Sequence, residues 1–159
     1  MIRPGQPADA PTLAELIREL ARYEHLEHEV AATEHNVRQQ IFERPHHPEV
    51  LVAEEEDGQI VGYAVYFENF STFLMRPGIF LEDVFVLPAH RRKGLGRALL
   101  SAVAQVAVER GCGRFEWMAL DWNESADEFY RRQGATRLDQ WRMYRVTGAA
   151  LAKLAGRDP

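Results

Sequence analysis

The chain has 159 residues, of which 46% are apolar and 27% charged, and its formal net charge is −5. That is long enough for one domain with a buried core and too acidic overall for a nucleic-acid-binding surface, and no apolar run reaches the roughly 18–20 residues of a membrane span. The single cysteine, Cys112, leaves no internal disulfide and fits a reducing, cytoplasmic setting, and the first ten residues lack the basic-then-apolar pattern of an export signal. Charge is unevenly spread: residues 1–60 hold 5 Lys+Arg against 13 Asp+Glu, and residues 61–159 hold 14 against 11. An acidic front and a basic rear predict a cationic partner on one side and an anionic one on the other.

In chain order, residues 2–4 form a short candidate strand. Asp9 is placed to cap a helix that takes Pro11 in its first turn, and Leu13, Leu16, Ile17, Leu20 and Ala21 recur at helical spacing to about Tyr23. Thr33 is the cap of a second helix with Val37 and Ile41 on its apolar face, ending near Arg44-Pro45. Residues 49–54 predict a strand, Asp57-Gly58 a hairpin turn, and 60–67 the returning strand. Residues 70–78 predict a loop of unusual apolar content, and 79–86 a further strand. Residues 95–110 predict an amphipathic helix with Leu99, Leu100, Val103, Val106 and Ala107 inward, stopped by Gly111. A strand over 114–120, a helix over 124–133, a last strand over 142–146 and a terminal helical turn after Thr147 follow.

The order β-α-α-β-β-β-α-β-α-β describes an α/β fold with a mixed, twisted sheet and helices on both faces. The hairpin makes part of the sheet antiparallel, and the strand–helix–strand over 79–120 predicts a right-handed parallel crossover. No repeat, low-complexity tract or long linker divides the chain, so 1–159 is expected to be a single domain.

The most informative stretch is DVFVLPAHRRKGLGRALL, residues 83–100. A strand runs into a glycine-rich turn and then a helix. Unsatisfied amides at a helix start, together with its dipole, favour an anion. Gly94 and Gly96 let the backbone approach one closely, and Arg91, Arg92, Lys93 and Arg97 add full charges. No Gly-Lys-Ser/Thr follows, so the turn is not a P-loop, and it is not a dinucleotide fingerprint because Gly94-Leu95-Gly96 continues as Arg97-Ala98-Leu99. A phosphate-bearing cofactor is the expected occupant.

Arg91-Arg92-Lys93-Gly94-Leu95-Gly96 resembles the acetyl-coenzyme A signature of the GNAT N-acetyltransferases, Arg/Gln-x-x-Gly-x-Gly/Ala. The resemblance covers nearly the whole chain. It implies that Arg91, Arg92, Lys93, Gly94, Leu95, Gly96 and Arg97 hold the pyrophosphate, and that the strand end Val84-Phe85-Val86 offers amides to the pantetheine arm and the thioester oxygen. A second stretch, Asn123-Glu124-Ser125-Ala126-Asp127-Glu128-Phe129-Tyr130, ending in Gly134-Ala135, is similar to a further signature of that family. By that likeness Asn123 and Ala126 belong to the coenzyme site and Tyr130 directs its hydroxyl at the thioester sulfur. The types suit the chemistry. Attack by an amine expels a thiolate whose acid has a pKa of about 8.5, and a tyrosine near 10 can protonate it.

The amine arrives protonated. Glu82 and Asp83 precede Val84 on opposite faces of the strand, and Glu82 is expected either to take the amine proton through a water or only to bind the cation. Within the family, the segments 17–24, 80–86, 122–124 and 129–135 resemble the diamine (spermidine/spermine and thialysine) acetyltransferases. That likeness implies an acceptor site of Tyr23, Glu24, Glu82 and, more loosely, Asp139, and a homodimer joined through its C-terminal part. The expected reaction is acetyl transfer from acetyl-coenzyme A to the primary amine of a small cation such as a polyamine, diamine or lysine analogue. An acetyltransferase for a protein lysine or N-terminus and a non-catalytic acyl-coenzyme A-binding module stand as alternatives. His46-His47 lies between prolines with no carboxylate or cysteine at ligand spacing, so no metal is expected.

Overall fold

The computed structural model describes residues 1–157 and divides into two units, Met1–Ala119 and Leu120 onward. The first unit carries a five-stranded sheet in the order β1-β2-β3-β4-β5: Ile2–Pro4, Glu49–Glu54, Ile60–Ser71, Arg76–Val86 and Phe115–Trp117. The first four strands are antiparallel neighbours, and β5 lies parallel to β4. Its helices are α1 (Ala10–Glu24), the short α2 (Glu34–Val37), which continues as a π-helical turn over Arg38–Glu43, and α3 (Leu95–Glu109).

Alternation along the strands sends side chains to two cores. Val50, Val52, Tyr63, Val65 and Phe85 pack with Leu13, Ala14 and Leu16 of α1 and with Val37 of α2. Leu51 and Ala53 project to the opposite face of β2, where α3 lies against β2, β3 and β4 and buries Leu99, Leu100, Val103 and Ala107. Leu13 and Leu99 are completely buried, and truncating either to alanine removes about 2–5 kcal/mol of stability. Helix ends follow local chemistry. Thr33 Oγ1 accepts the Asn36 amide at 3.1 Å, α1 stops where His25 turns left-handed (φ 60°), and α3 stops before Gly111 (φ 66°).

Four expectations from the sequence are corrected. Asp9 does not cap α1 with its side chain. It accepts the Arg3 guanidinium at 2.7 and 3.1 Å and the Gln6 amide at 2.8 Å, which ties β1 to a 3₁₀ turn at Pro7–Asp9, because a charged guanidinium outcompetes a neutral amide. The apolar segment 70–78 is largely strand: Phe70↔Pro77 and Ser71↔Arg76 extend the β3–β4 hairpin, and only residues 72–75 turn. β5 is shorter than 114–120, a point that matters below. Finally, 142–146 is not a strand. A strand needs a neighbour for its amides, and the second unit holds only α4 (Glu124–Arg132) and α5 (Gly148–Leu154) among its described residues. The terminal helical turn expected after Thr147 is present as α5.

Candidate active site

The site-bearing element of the first unit is β4. It pairs with β3 along its whole length, yet it meets β5 only at Ile79↔Phe115, Phe80↔Glu116 and Leu81↔Trp117. Residues 82–86 therefore have one paired edge and, among the described residues, no strand along the other. Along that edge the Val86 carbonyl accepts from Arg91 Nε at 2.9 Å, and the other outward-facing backbone groups can receive an extended, amide-bearing chain as a further strand.

β4 feeds directly into the glycine turn. Pro88–His90 makes a 3₁₀ turn, Arg92 takes φ 65°, Gly94 takes φ 83°, and α3 begins at Leu95 with no side chain capping its first amides. A Cβ on Gly94 would meet nothing within 4 Å, so glycine is required there for its backbone angle and not for space. An uncapped fifteen-residue helix preceded by a left-handed turn suits a phosphate. Gly96 and Arg97 lie in its first turn, and Arg92 and Arg97 are exposed.

The other two cations of the turn are engaged elsewhere. Arg91 folds back along β4: its Nε donates to the Val86 carbonyl at 2.9 Å, and its guanidinium lies 4.8 Å from the Tyr23 ring centre and 5.5 Å from that of Phe85. Lys93 Nζ lies 2.9 Å from Glu55 Oε1, and His90 Nδ1 lies 2.9 Å from the same oxygen.

On the α1 face of β4 sits an acidic group that the sequence only half revealed. The β3–β4 register steps from Val65↔Asp83 to Tyr66↔Leu81, which leaves Glu82 as an extra residue in a β-bulge. The bulge re-aims the strand. Glu82 is exposed, whereas Asp83 shares the inner face with Val65 and Phe85 and sits 3.4 Å from the Tyr63 hydroxyl. Burial, followed by the charges of Glu82 and Glu24, pushes the Asp83 carboxyl up to about 6. Burial also raises Glu24, at the end of α1, and raises the Tyr63 phenol well above its ordinary value, with the Asp83 charge adding to it. The charges of Glu24 from α1 and of Glu82 from β4 both reach Asp83, and Tyr23, next to Glu24 in α1, packs on Arg91. Asp83 and Tyr63 were missed as site candidates. The signal was the pair of adjacent acids in an apolar strand, but a bulge cannot be read from alternation. Asp83, raised by burial and by the charges of Glu82 and Glu24, marks a place that suits a cation.

The second unit holds the other candidates. Asn123 Oδ1 accepts the Ala126 amide at 3.2 Å and the Ser125 hydroxyl at 3.0 Å, so it caps α4. Tyr130 lies in the last turns of α4, with its ring centre 5.3 Å from that of Phe129. Asp139 is exposed and accepts from Arg137 Nε at 2.5 Å. No group of three or more His, Cys, Asp or Glu among the described residues could hold a metal ion, and no helix among them is long and apolar enough to cross a membrane.

A strand with one open edge, a phosphate-type turn at its end and an acidic face beside it suit transfer of an acyl group to an amine. The acetyltransferase (GNAT) family model matches residues 11–135. The chain belongs to the GNAT acetyltransferase family. It is 36% identical over 167 residues to the thialysine N-epsilon-acetyltransferase of Bos taurus, covering 99% of this chain and 98% of that one. It is 31% identical over 194 residues to an L-ornithine N5-acetyltransferase of Arabidopsis thaliana, covering 94% and 85%. Among solved structures, an integron cassette protein from the mobile metagenome of V. cholerae superposes with a TM-score of 0.82 at 29% identity, covering 98% of this chain and 96% of that one. The chain is an N-acetyltransferase of the branch that includes thialysine and spermidine/spermine acetyltransferase-like proteins, and its family uses acetyl-coenzyme A as co-substrate.

Proposed function

We propose that this N-acetyltransferase moves the acetyl group of acetyl-coenzyme A to the primary amine of a small, cationic acceptor of the diamine or lysine-analogue class, and that residues 1–159 work as a single catalytic domain. The observation that carries the acceptor class is the acidic face formed by Glu24, Glu82 and Asp83 beside the open half of β4. The names of the thialysine and ornithine relatives support it, since both describe acceptors with an amine at the end of a short aliphatic chain.

The open edge at Val84, Phe85 and Val86 is the berth for the pantetheine arm, and a strand amide there steadies the oxygen that gains charge as the amine attacks. The uncapped start of α3, with Gly94, Leu95, Gly96, Arg92 and Arg97, receives the pyrophosphate. Tyr23 lines the acceptor's aliphatic chain. Glu24 and Asp83 hold a distal ammonium, and the exposed Glu82 takes the proton of the attacking amine through water. Asn123 and Ala126 flank the coenzyme arm, Tyr130 protonates the departing thiolate, and Asp139 contributes negative charge toward longer acceptors. The acting form is a cytoplasmic homodimer free of nucleic acid, membrane and metal, for which the exposed Leu151 and Leu154 of α5 provide apolar surface.

Thiol release from acetyl-coenzyme A, measured across spermidine, spermine, short diamines, thialysine, ornithine, lysine and a lysine-bearing peptide, tests this reading. Turnover is expected with thialysine, ornithine or short diamines. Turnover confined to the peptide would overturn the small-acceptor assignment.

A further inference from the structure

Glu55 belongs neither to the glycine turn nor to the acidic group on β4. It is the first residue past β2, in the turn that leads to β3, and its backbone is fixed there. Its amide donates to the Gln59 carbonyl at 2.9 Å, its carbonyl accepts the Gly58 amide at 3.1 Å, and Asp57 Oδ1 accepts the Gln59 amide at 3.0 Å. From this rigid base the side chain reaches residues 35 and 38 positions downstream, taking His90 Nδ1 and Lys93 Nζ on one carboxylate oxygen at 2.9 Å each. Those two partners hold the Glu55 carboxyl below its usual range.

Between His90 and Lys93 the chain passes through Arg92, a non-glycine residue with φ 65°. L-residues with a side chain avoid that region, so such a turn persists only where its surroundings hold it. Before Arg92 the turn is held by the His90 amide to the Leu87 carbonyl at 2.9 Å, the Arg91 amide to the Pro88 carbonyl at 3.3 Å and the Arg91 side chain to the Val86 carbonyl at 2.9 Å, and after it the Gly94 carbonyl accepts the Ala98 amide at 2.9 Å. None of these bonds joins the two sides of Arg92. The Glu55 carboxylate grips the chain on both sides of it.

We propose that Glu55 is a positioning residue that holds the 90–94 turn in its anion-receiving shape before acetyl-coenzyme A arrives, by tethering His90 and Lys93 across the left-handed Arg92. The proposal rests on reading that turn as the phosphate berth. It opposes a simpler expectation, that a carboxylate beside a phosphate site only repels the ligand. Removing the charge would then tighten binding. Removing the tether weakens it.

The test compares Glu55→Ala in three backgrounds by calorimetric titration of the full-length protein with acetyl-coenzyme A. In the native background the dissociation constant is expected to rise about tenfold. Arg92→Ala and Arg92→Gly remove the same charge, but only glycine adopts a positive φ without strain. Glu55→Ala should therefore cost about tenfold again beside Arg92→Ala and less than about twofold beside Arg92→Gly. A tighter dissociation constant, or equal losses in the two Arg92 backgrounds, overturns the tether. Amide hydrogen exchange over residues 90–96 is the readout independent of ligand. Faster exchange in Glu55→Ala supports the tether, and unchanged exchange overturns it. Faster exchange in a protein whose native form shows no acetyl-coenzyme A binding would instead keep the tether and remove the phosphate reading.

Discussion

The two sides of the open half of β4 solve opposite electrostatic problems by different means. At its C-terminal end the proposed anion berth is made chiefly of backbone: an uncapped helix start, a left-handed turn, and cations of which Arg91 and Lys93 are held by neighbours. On its α1 face the proposed cation berth is made of side chains, with Asp83 and Glu24, from positions nearly sixty residues apart, both raised by burial, and the exposed Glu82 adding its charge to Asp83. A short stretch of sequence is enough to encode geometry that suits a phosphate. An ammonium needs charges that only folding assembles.

Substitutions separate the two proposed berths from the proposed acid, Tyr130. The largest effect belongs to the chemistry. Tyr130→Phe is expected to lower turnover about a hundredfold or more while leaving acetyl-coenzyme A affinity within about twofold; unaltered thiol release would remove Tyr130 as the acid. On the cation side, Asp83→Asn and Glu24→Gln should each raise the KM for a diamine acceptor about tenfold, with little change in acetyl-coenzyme A affinity. If instead acetyl-coenzyme A affinity falls, the division between the berths is wrong.

Asp83 also links the cation berth to pH. Its carboxyl is raised to about 6 in the folded chain, chiefly by burial. A group whose folded value is raised contributes stability in full below its unfolded value, about 3.9, and loses that contribution as the pH rises through about 6. Asp83→Asn should therefore stabilise the protein at pH 8, by no more than about 3 kcal/mol, and this gain should vanish at pH 4, as read by thermal unfolding across that range. The proposed acceptor should show the reverse trend: its KM is expected to fall as the pH rises through about 6 and Asp83 ionises, and the Asn variant to flatten that profile, as read by steady-state kinetics from about pH 5 to about pH 8.

On the anion side, Gly94→Ala forces a side chain into φ 83°, where the added carbon itself meets open space. A cost of about 1 kcal/mol, read as an acetyl-coenzyme A affinity about fivefold weaker, is expected. A neutral outcome would mean that the turn rearranges freely on binding. The smallest effect is salt. The KM of a diamine should rise about two- to threefold as ionic strength grows, because its carboxylate partners are only partly buried. A flat response would indicate a neutral acceptor.

Much of the fold was legible because it follows from local rules. The period of Leu13, Leu16, Ile17 and Leu20, the Thr33 cap, the Asp57-Gly58 turn and the Gly111 stop each act within a few residues. The misreadings share a different cause. Asp9 was claimed by Arg3 of another element, the hairpin 70–77 formed because each half found a partner, and 142–146 found none. Pairing is a property of two segments, and the pattern of one cannot report it.

By itself, the sequence determined the α/β class, the glycine turn at the start of α3, the family signatures at 91–96 and 123–135 and the acidic front, all carried by contiguous residues or composition. Only the tertiary structure decided that β5 stops short and leaves Val84–Val86 open, and that a bulge turns Asp83 inward to Tyr63. It alone set Arg91 against Tyr23 and joined Glu55 to His90 and Lys93 of the glycine turn. The reason is physical: desolvation, charge coupling and strand pairing depend on distance in space, which the chain sets only when it closes on itself.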